Sequence, residues 1–288
     1  MAILEAENLK YTYSRGTPFA KQALNGVGFS LERGELAAII GHTGSGKSTL
    51  LQHLNGLLKP DEGDVRFDGR SIWESKASVR NARFNVGLCF QYPEYQLFES
   101  TVFKDIAFGP KNMGLSEDEI NARVLEAAEH AGLKKSLLEK SPFDLSGGEK
   151  RRAAIAGVMA MKPEVLILDE PTAGLDPRGR AEICELIRDY NKTTGSTVVF
   201  VSHSMEDVAS LAQHVFVMDH GTMPFSGSVS EIFSRADELS SMGLDVPEIT
   251  RIFSTLRRHG YALPGDVFTP EDGARELLAF LKGGGRVD

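Results

Sequence analysis

The run GHTGSGKS, Gly41 to Ser48, constrains this chain more than any other stretch, because an apolar segment leads into it and a helical one leaves it. It matches the G-x-x-x-x-G-K-[ST] loop, in which glycines let backbone N–H groups wrap phosphates and the next helix points its dipole at them. ELAAII ahead of the loop reads as a buried strand, and Lys47 to Asn55 as a helix that Gly56 stops. A Gly-rich turn with only a structural duty needs neither the lysine at 47 nor the hydroxyl at 48. Lys47 is expected to reach the outer phosphates, Ser48 to ligate Mg²⁺ and Thr49 to add a phosphate contact, while His42, Thr43, Gly44, Ser45 and Gly46 complete the wrap.

VLILDE is a second buried strand, and it delivers Asp169 and Glu170 to its C-terminal end, where α/β sheets place ligands. Asp169 suits Mg²⁺, directly or through water. Glu170 is placed to accept a proton from an attacking water or to orient it. In isolation an acidic pair at a strand end is a solvated turn; the upstream loop reverses that reading. His203 follows the strand TVVFVS to the same edge, where an imidazole can contact a γ-phosphate and hold the water. The bland alternative is a loop histidine ahead of a Ser204 and Asp207 capping pair. LSGGEKRR opens another helix, in which Ser146 caps, Gly147 and Gly148 tighten the turn and Glu149 sits favourably against the dipole.

The 32 Lys+Arg against 40 Asp+Glu give a net charge of -8, which offers no global attraction to nucleic acid or anionic lipid. Nucleic acid is therefore not an expected partner. Cys89 and Cys184 lack metal-ligand spacing and read as reduced structural thiols of a cytosolic protein. MAILEAENLK has no signal-peptide pattern and no apolar run is long enough to span a bilayer, so a membrane role must be borrowed from a partner.

Leu9, Tyr11 and Tyr13, then Val27, Phe29 and Leu31, alternate as antiparallel strands around the loop SRGTPFAKQ. A capping box of Ser116 and Glu119 opens a helix with apolar positions Ile120, Val124, Ala127, Ala128 and Ala131, so a helical insert precedes LSGGEKRR. Afterwards VLILD, a helix from about Arg178 to Tyr190, TVVFVS, a helix capped by Ser204, and HVFVMD alternate as in a mainly parallel sheet. Past about Asp237 come two helical candidates, PEITRIFSTLRRH and PEDGARELLAFLK. Thr269 caps the second, Pro270 starts it, and Ala274, Leu277, Leu278 and Leu281 share one face. The final GGGRVD reads as frayed.

In their order, GHTGSGKS, Gln91, LSGGEKRR, VLILDE, the AGLD at Ala173 to Asp176 and His203 resemble the motifs of ATP-binding cassette ATPases over residues 1 to about 235. The resemblance implies an α/β P-loop cassette fold with an N-terminal antiparallel β part, a helical subdomain at about 92–162 and a cassette domain of 1–236. A C-terminal helical extension of 237–288 follows. It further implies ATP and Mg²⁺ as cofactors and a head-to-tail dimer. The phosphate loop of one subunit and Ser146, Gly147 and Gly148 of the other would sandwich each ATP. Gln91 would sense Mg²⁺ and the water, Tyr13 would stack on adenine with Tyr11 as its rival, and Asp176 would couple the two sites. One departure is Glu149, where the commonest signature has Gln: a carboxylate near phosphate is adverse, and the helix dipole offsets part of that.

FQYPEYQLF at 90–98, with GTPFAKQAL, SGGEKRRAAIA and the helical tail, is similar to the ATPases of energy-coupling factor transporters, and to the second of their two paralogues. These importers take up vitamins or transition-metal ions. The implied partners are a second ATPase subunit (paralogue or self), a transmembrane coupling subunit and a substrate-binding membrane subunit. The implied place is the cytoplasmic face of the membrane, as a peripheral protein. Tyr92, Pro93, Tyr95, Leu97 and Phe98 would line a groove for a coupling helix, Glu94 would pair with an arginine of that helix, and the tail would help two ATPases dimerise. The alternative, a soluble cassette ATPase acting on DNA or ribosomes, expects heptad arms, paired cassettes or a basic face. None stands in the sequence.

Overall fold

The computed structural model describes residues 2–282. Two long strands, β1 (Ala2–Tyr13) and β2 (Lys21–Glu32), pair in antiparallel register, as their alternating apolar residues anticipate. β3 (Leu36–Ile40) then runs into the phosphate loop and α1 (Lys47–Leu54). β4 (Glu62–Phe67) and the short β5 (Arg70–Ser71) return to β1 and complete a four-stranded antiparallel sheet in the order β2-β1-β4-β5.

α2 (Lys76–Asn85) leads to β6 (Val86–Cys89). α3 (Val102–Met113), α4 (Glu117–His130) and α5 (Gly147–Met159) pack on one another as a helical insert. The strand–helix alternation resumes with β7 (Val165–Asp169), α6 (Pro177–Thr194), β8 (Thr197–Val201), α7 (Met205–Leu211), β9 (His214–Asp219) and β10 (Thr222–Ser228). The second sheet has the order β10-β9-β3-β8-β7-β6 and is parallel except for the β10 edge. α6 exceeds the expected helix at both ends: the Asp176 carboxylate accepts from Gly179 N and caps it, and Gly195 stops it in a left-handed conformation.

The central strands are buried on both faces. In β3, β7 and β8, Leu36, Ala38, Ile40, Leu166, Leu168, Val198 and Phe200 join the core beneath the helices, while Ala37, Ile39, Val165, Ile167, Val199 and Val201 join the core beneath the antiparallel sheet. That double burial explains their unbroken apolar runs. Cys89 and Cys184 are free and buried, and burial pushes both thiols up to about 12.

α8 (Val229–Phe233) and α9 (Ala236–Ser241) lead to α10 (Glu248–Arg258) and α11 (Pro270–Lys282). The last two enclose a small core of their own around Phe253, Leu263 and Val267. The four residues expected on one face of α11 are divided. Gly273 is buried, with room for no side chain against Ile249, so α11 turns Leu277 and Phe280 toward α10. Leu278 and Leu281 stay outside, 56% and 71% exposed. The run GGGRVD lies outside the described residues.

Candidate nucleotide site

Two hydrogen-bond ladders set the level of the site. Val201 of β8 pairs with Ile39 of β3 on one side and with Asp169 of β7 on the other, so the phosphate loop and the acidic pair leave the sheet at the same height. Gly44 (φ 85) has open space above it, and Gly46 (φ 106) would drive a Cβ to 2.5 Å from the Ala23 carbonyl oxygen. Only glycine satisfies both the left-handed backbone and the close approach of β2. Lys47 Nζ donates to the carbonyls of Gly41 (2.6 Å) and His42 (3.0 Å). Burial draws its ammonium below the usual lysine range. Ser48 Oγ donates to Asp169 Oδ2 at 3.0 Å, and burial raises the Asp169 carboxyl while that hydrogen bond opposes the rise. Ser45 Oγ is buried with no partner among the described residues.

Glu170 sits one residue past β7 with φ 51, a left-handed backbone that costs a non-glycine residue about 1–3 kcal/mol. The turn aims its carboxylate between two side chains: Gln91 Nε2 donates to Oε2 at 2.8 Å and His203 Nε2 lies 2.8 Å from Oε1. Both carboxylate oxygens are thus oriented, which is what a base that must receive one proton in one direction requires.

A cavity of about 490 Å³ gathers Tyr13, Thr43, Gly44, Gly46, Lys47, Ser48, Thr49, Gln91, Glu170 and His203, together with Lys21 and Ala23. The last two were not read from the sequence; the signal is the pairing of Lys21 with Tyr13 across β1 and β2. Tyr13, 37% exposed, bonds Thr49 Oγ1 at 3.2 Å, whereas Tyr11 packs edge-on to His53 and against the inner core. Tyr13 is therefore the tyrosine at the cavity. His42 turns instead to Asp219. The glycine wrap, the Lys47 ammonium and the all-oxygen Ser48 and Asp169 pair fit a Mg²⁺ nucleotide.

Ser146, Gly147 and Gly148 are not among the residues lining this cavity. They start α5, where Ser146 and Glu149 form a full capping box. Ser146 N and Oγ both donate to Glu149 Oε2, at 2.9 and 2.7 Å. Those bonds hold the Glu149 carboxyl below the usual carboxylate range. The adverse charge is therefore anchored to the cap.

A family model described as ABC transporter matches residues 24–173. The chain is 51% identical over 280 residues to the energy-coupling factor transporter ATP-binding protein EcfA2 of Caldanaerobacter subterraneus subsp. tengcongensis, covering 97% of this chain and 98% of that protein. The chain belongs to the ABC transporter family, in its energy-coupling factor ATPase branch. EcfA2 of Clostridium acetobutylicum is 52% identical with the same coverage. Among solved structures, cbiO1 of Clostridium perfringens, part of the ABC transporter complex cbiONQ, matches with a TM-score of 0.75 at 41% identity, over 89% of this chain and 99% of that one. The dimeric post-hydrolysis cassette MJ0796 bound to ADP and Pi matches with a TM-score of 0.70 at 28% identity, over 78% and 98%.

In this ABC ATPase the segment after Gln91 exposes Tyr92, Tyr95 and Phe98, while Pro93 is buried and Leu97 packs on the core. Phe98 meets Phe108 edge-on at 5.1 Å, and Phe108 is also exposed. Glu94 does not await a partner's arginine. Its carboxylate is held by this chain's own Arg151, because Glu94 points inward from the turn beneath Tyr92.

Proposed function

We propose that this chain is the ATP-hydrolysing subunit of an energy-coupling factor importer, working at the cytoplasmic face of the membrane as a peripheral protein. The observation that carries the reading is Glu170, fixed through both oxygens by Gln91 and His203 beside the Ser48 and Asp169 pair. Lys47 leaves the loop carbonyls to meet the outer phosphates of ATP. Ser48, Asp169 and Gln91 would hold Mg²⁺, which would supply neutralisation of charge on those phosphates. Glu170 takes the proton of the attacking water, and His203 and Gln91 keep the carboxylate pointed at it. Tyr13 stacks on adenine, and Thr43 and Thr49 add phosphate contacts.

Ser146, Gly147 and Gly148 lie outside the cavity, which supports a head-to-tail dimer in which a second ATPase, paralogue or self, supplies them in trans. The cassette is assigned to 1–236, with its helical subdomain at about 92–162, and the extension to 237–288. The exposed Leu278 and Leu281 support a dimerisation role for that extension. The aromatic surface of Tyr92, Tyr95, Phe98 and Phe108 suits the cytoplasmic helix of a transmembrane coupling subunit. A substrate-binding membrane subunit selects a vitamin or a transition-metal ion. Among the described residues no helix is long and apolar enough to cross a membrane.

Glu170→Gln is the test. It is expected to bind ATP, lose at least about a hundredfold in turnover and accumulate closed dimers by light scattering. Hydrolysis at the wild-type rate would remove Glu170 as the base. Purification of the unmodified chain from native membranes is expected to bring membrane subunits; ribosomes or DNA in their place would overturn the transport reading.

A further inference from the structure

A histidine of the phosphate loop faces outward to a second cluster, on the turn between β9 and β10. One ligand atom each of His42, Asp219 and His220 lies within 4.8 Å of the others. None of the three is among the residues lining the nucleotide cavity. His42 Nδ1 faces the Thr43 carbonyl oxygen at 2.9 Å, and its Nε2 faces Asp219 Oδ1 at 3.1 Å. Both of these oxygens are acceptors, yet a neutral imidazole carries a single N–H. With that hydrogen on Nδ1, the Nε2 lone pair faces a carboxylate oxygen. The other tautomer meets the carboxylate with Nε2–H; with Nδ1–H kept, a metal ion bound to both atoms meets it instead.

Three features favour the metal ion. A backbone carbonyl behind the ring is the arrangement that fixes the tautomer of a metal-bound histidine. Two ligands each about 2.0–2.1 Å from one ion, at a right or tetrahedral angle, stand about 2.8–3.4 Å apart, which brackets the 3.1 Å between Nε2 and Oδ1. Lastly, His220 brings a second imidazole to the same carboxylate. Its Nε2 is 3.8 Å from Oδ1, too far for a hydrogen bond, and its ring centroid is 4.7 Å from that of His42.

His220 holds that position on a left-handed backbone, φ 43, and the next residue fixes the turn to the phosphate loop, Gly221 N donating to Ser45 O at 2.9 Å. The side chain is 82% exposed, so its ring can close the remaining gap and water can fill the open coordination positions.

We propose that His42, Asp219 and His220 bind one borderline divalent ion of the Zn²⁺, Co²⁺ and Ni²⁺ class. Two imidazoles and a carboxylate select that class, whereas the oxygen ligands of Ser48 and Asp169 select Mg²⁺. The ion clips the end of β9 to the first turn of the phosphate loop. His42 also supplies the carbonyl that accepts from Lys47 Nζ, so the clip holds the backbone on which the lysine rests.

Co²⁺ alone, titrated into the tag-free, chelator-stripped full chain at neutral pH and followed by its visible absorption, is the test. One equivalent is expected to bind, with the dissociation constant raised at least about tenfold in His220→Ala and in Asp219→Asn. Zn²⁺ is expected to displace it. His214→Ala, which removes a histidine at the opposite end of β9 from Asp219, is expected to leave binding unchanged. Because His220 is exposed, its variant keeps the fold, and thermal unfolding verifies that. Absence of one-equivalent binding, or binding that persists unchanged in His220→Ala, would overturn the site and leave a plain hydrogen bond between His42 and Asp219.

Discussion

Arg151, in the second turn of the signature helix, grips both oxygens of Glu94: Nη2 is 2.7 Å from Oε1 and Nε 3.1 Å from Oε2. The same guanidinium donates to the carbonyls of Pro171 (3.2 Å) and Ala173 (2.6 Å), just beyond Glu170. One side chain thereby joins the Gln91 segment, the signature helix and the strand end that carries Glu170.

Because Arg151 is 4% exposed and Glu94 16%, neither charge is solvated well enough to stand alone. Arg151→Ala is expected to cost about 3–5 kcal/mol, as breaking a buried pair does by stranding the other charge. Denaturant unfolding measures it. A loss below about 1 kcal/mol, the range of an exposed pair, would show that the pair is solvated.

Asp169 carries the opposite kind of burden. Burial raises its folded-state pKa above the unfolded one, so its contribution to stability is fully present below the unfolded carboxylate range and is lost as pH rises through the folded value. Asp169→Asn removes the buried charge. That variant is expected to melt above the wild type at pH 7, with the difference shrinking below about pH 4, while losing ATP turnover. Calorimetry across pH checks it, and a variant less stable at pH 7 would contradict the sign.

At the signature, the Ser146 hydroxyl is already spent on Glu149. Glu149→Gln keeps an amide oxygen for the capping box and removes the negative charge. A helix-terminal charge is worth about 0.3–1 kcal/mol, so the ATP concentration needed for half-maximal dimer formation is expected to fall about two- to fivefold. Equilibrium sedimentation against ATP measures it; no change would mean that the cap fully shields the carboxylate.

On α11, charge placed at the exposed face separates dimerisation from folding. Leu278→Glu with Leu281→Glu is expected to weaken self-association or pairing with a paralogue at least about tenfold, as loss of interface anchors does. Monomer melting is expected to stay within about 0.5 kcal/mol of wild type, as for other surface changes. An unchanged concentration dependence would count against the extension as a dimer element.

The parts of the site that are local in sequence were legible there. The phosphate loop, the acid-tipped strand and the capping boxes at Ser116 and Ser146 each depend on residues a few positions apart, so spacing carries them. What spacing could not carry was pairing at a distance. Glu94 finds Arg151 across 57 residues, His42 finds Asp219 across 177, and Lys21 reaches the cavity only through strand register. The choice between Tyr11 and Tyr13 likewise needed the fold, because both alternate on one strand and only packing decides which ring meets His53. On α11 the helical face was read one position off, since periodicity does not reveal that buried Gly273 sets the contact with α10.

Val201, shared between Ile39 and Asp169, makes the sheet a jig for the chemistry. The height at which the phosphate loop and Glu170 leave the sheet is machined into backbone ladders clamped by a core on each face. A partner docked on the proposed aromatic surface near Tyr95 is therefore expected to leave that register alone. On that proposal, mechanical work exchanged with such a partner passes through the Gln91 segment and the Arg151 joint, which is where variants that hydrolyse ATP without moving cargo are to be sought.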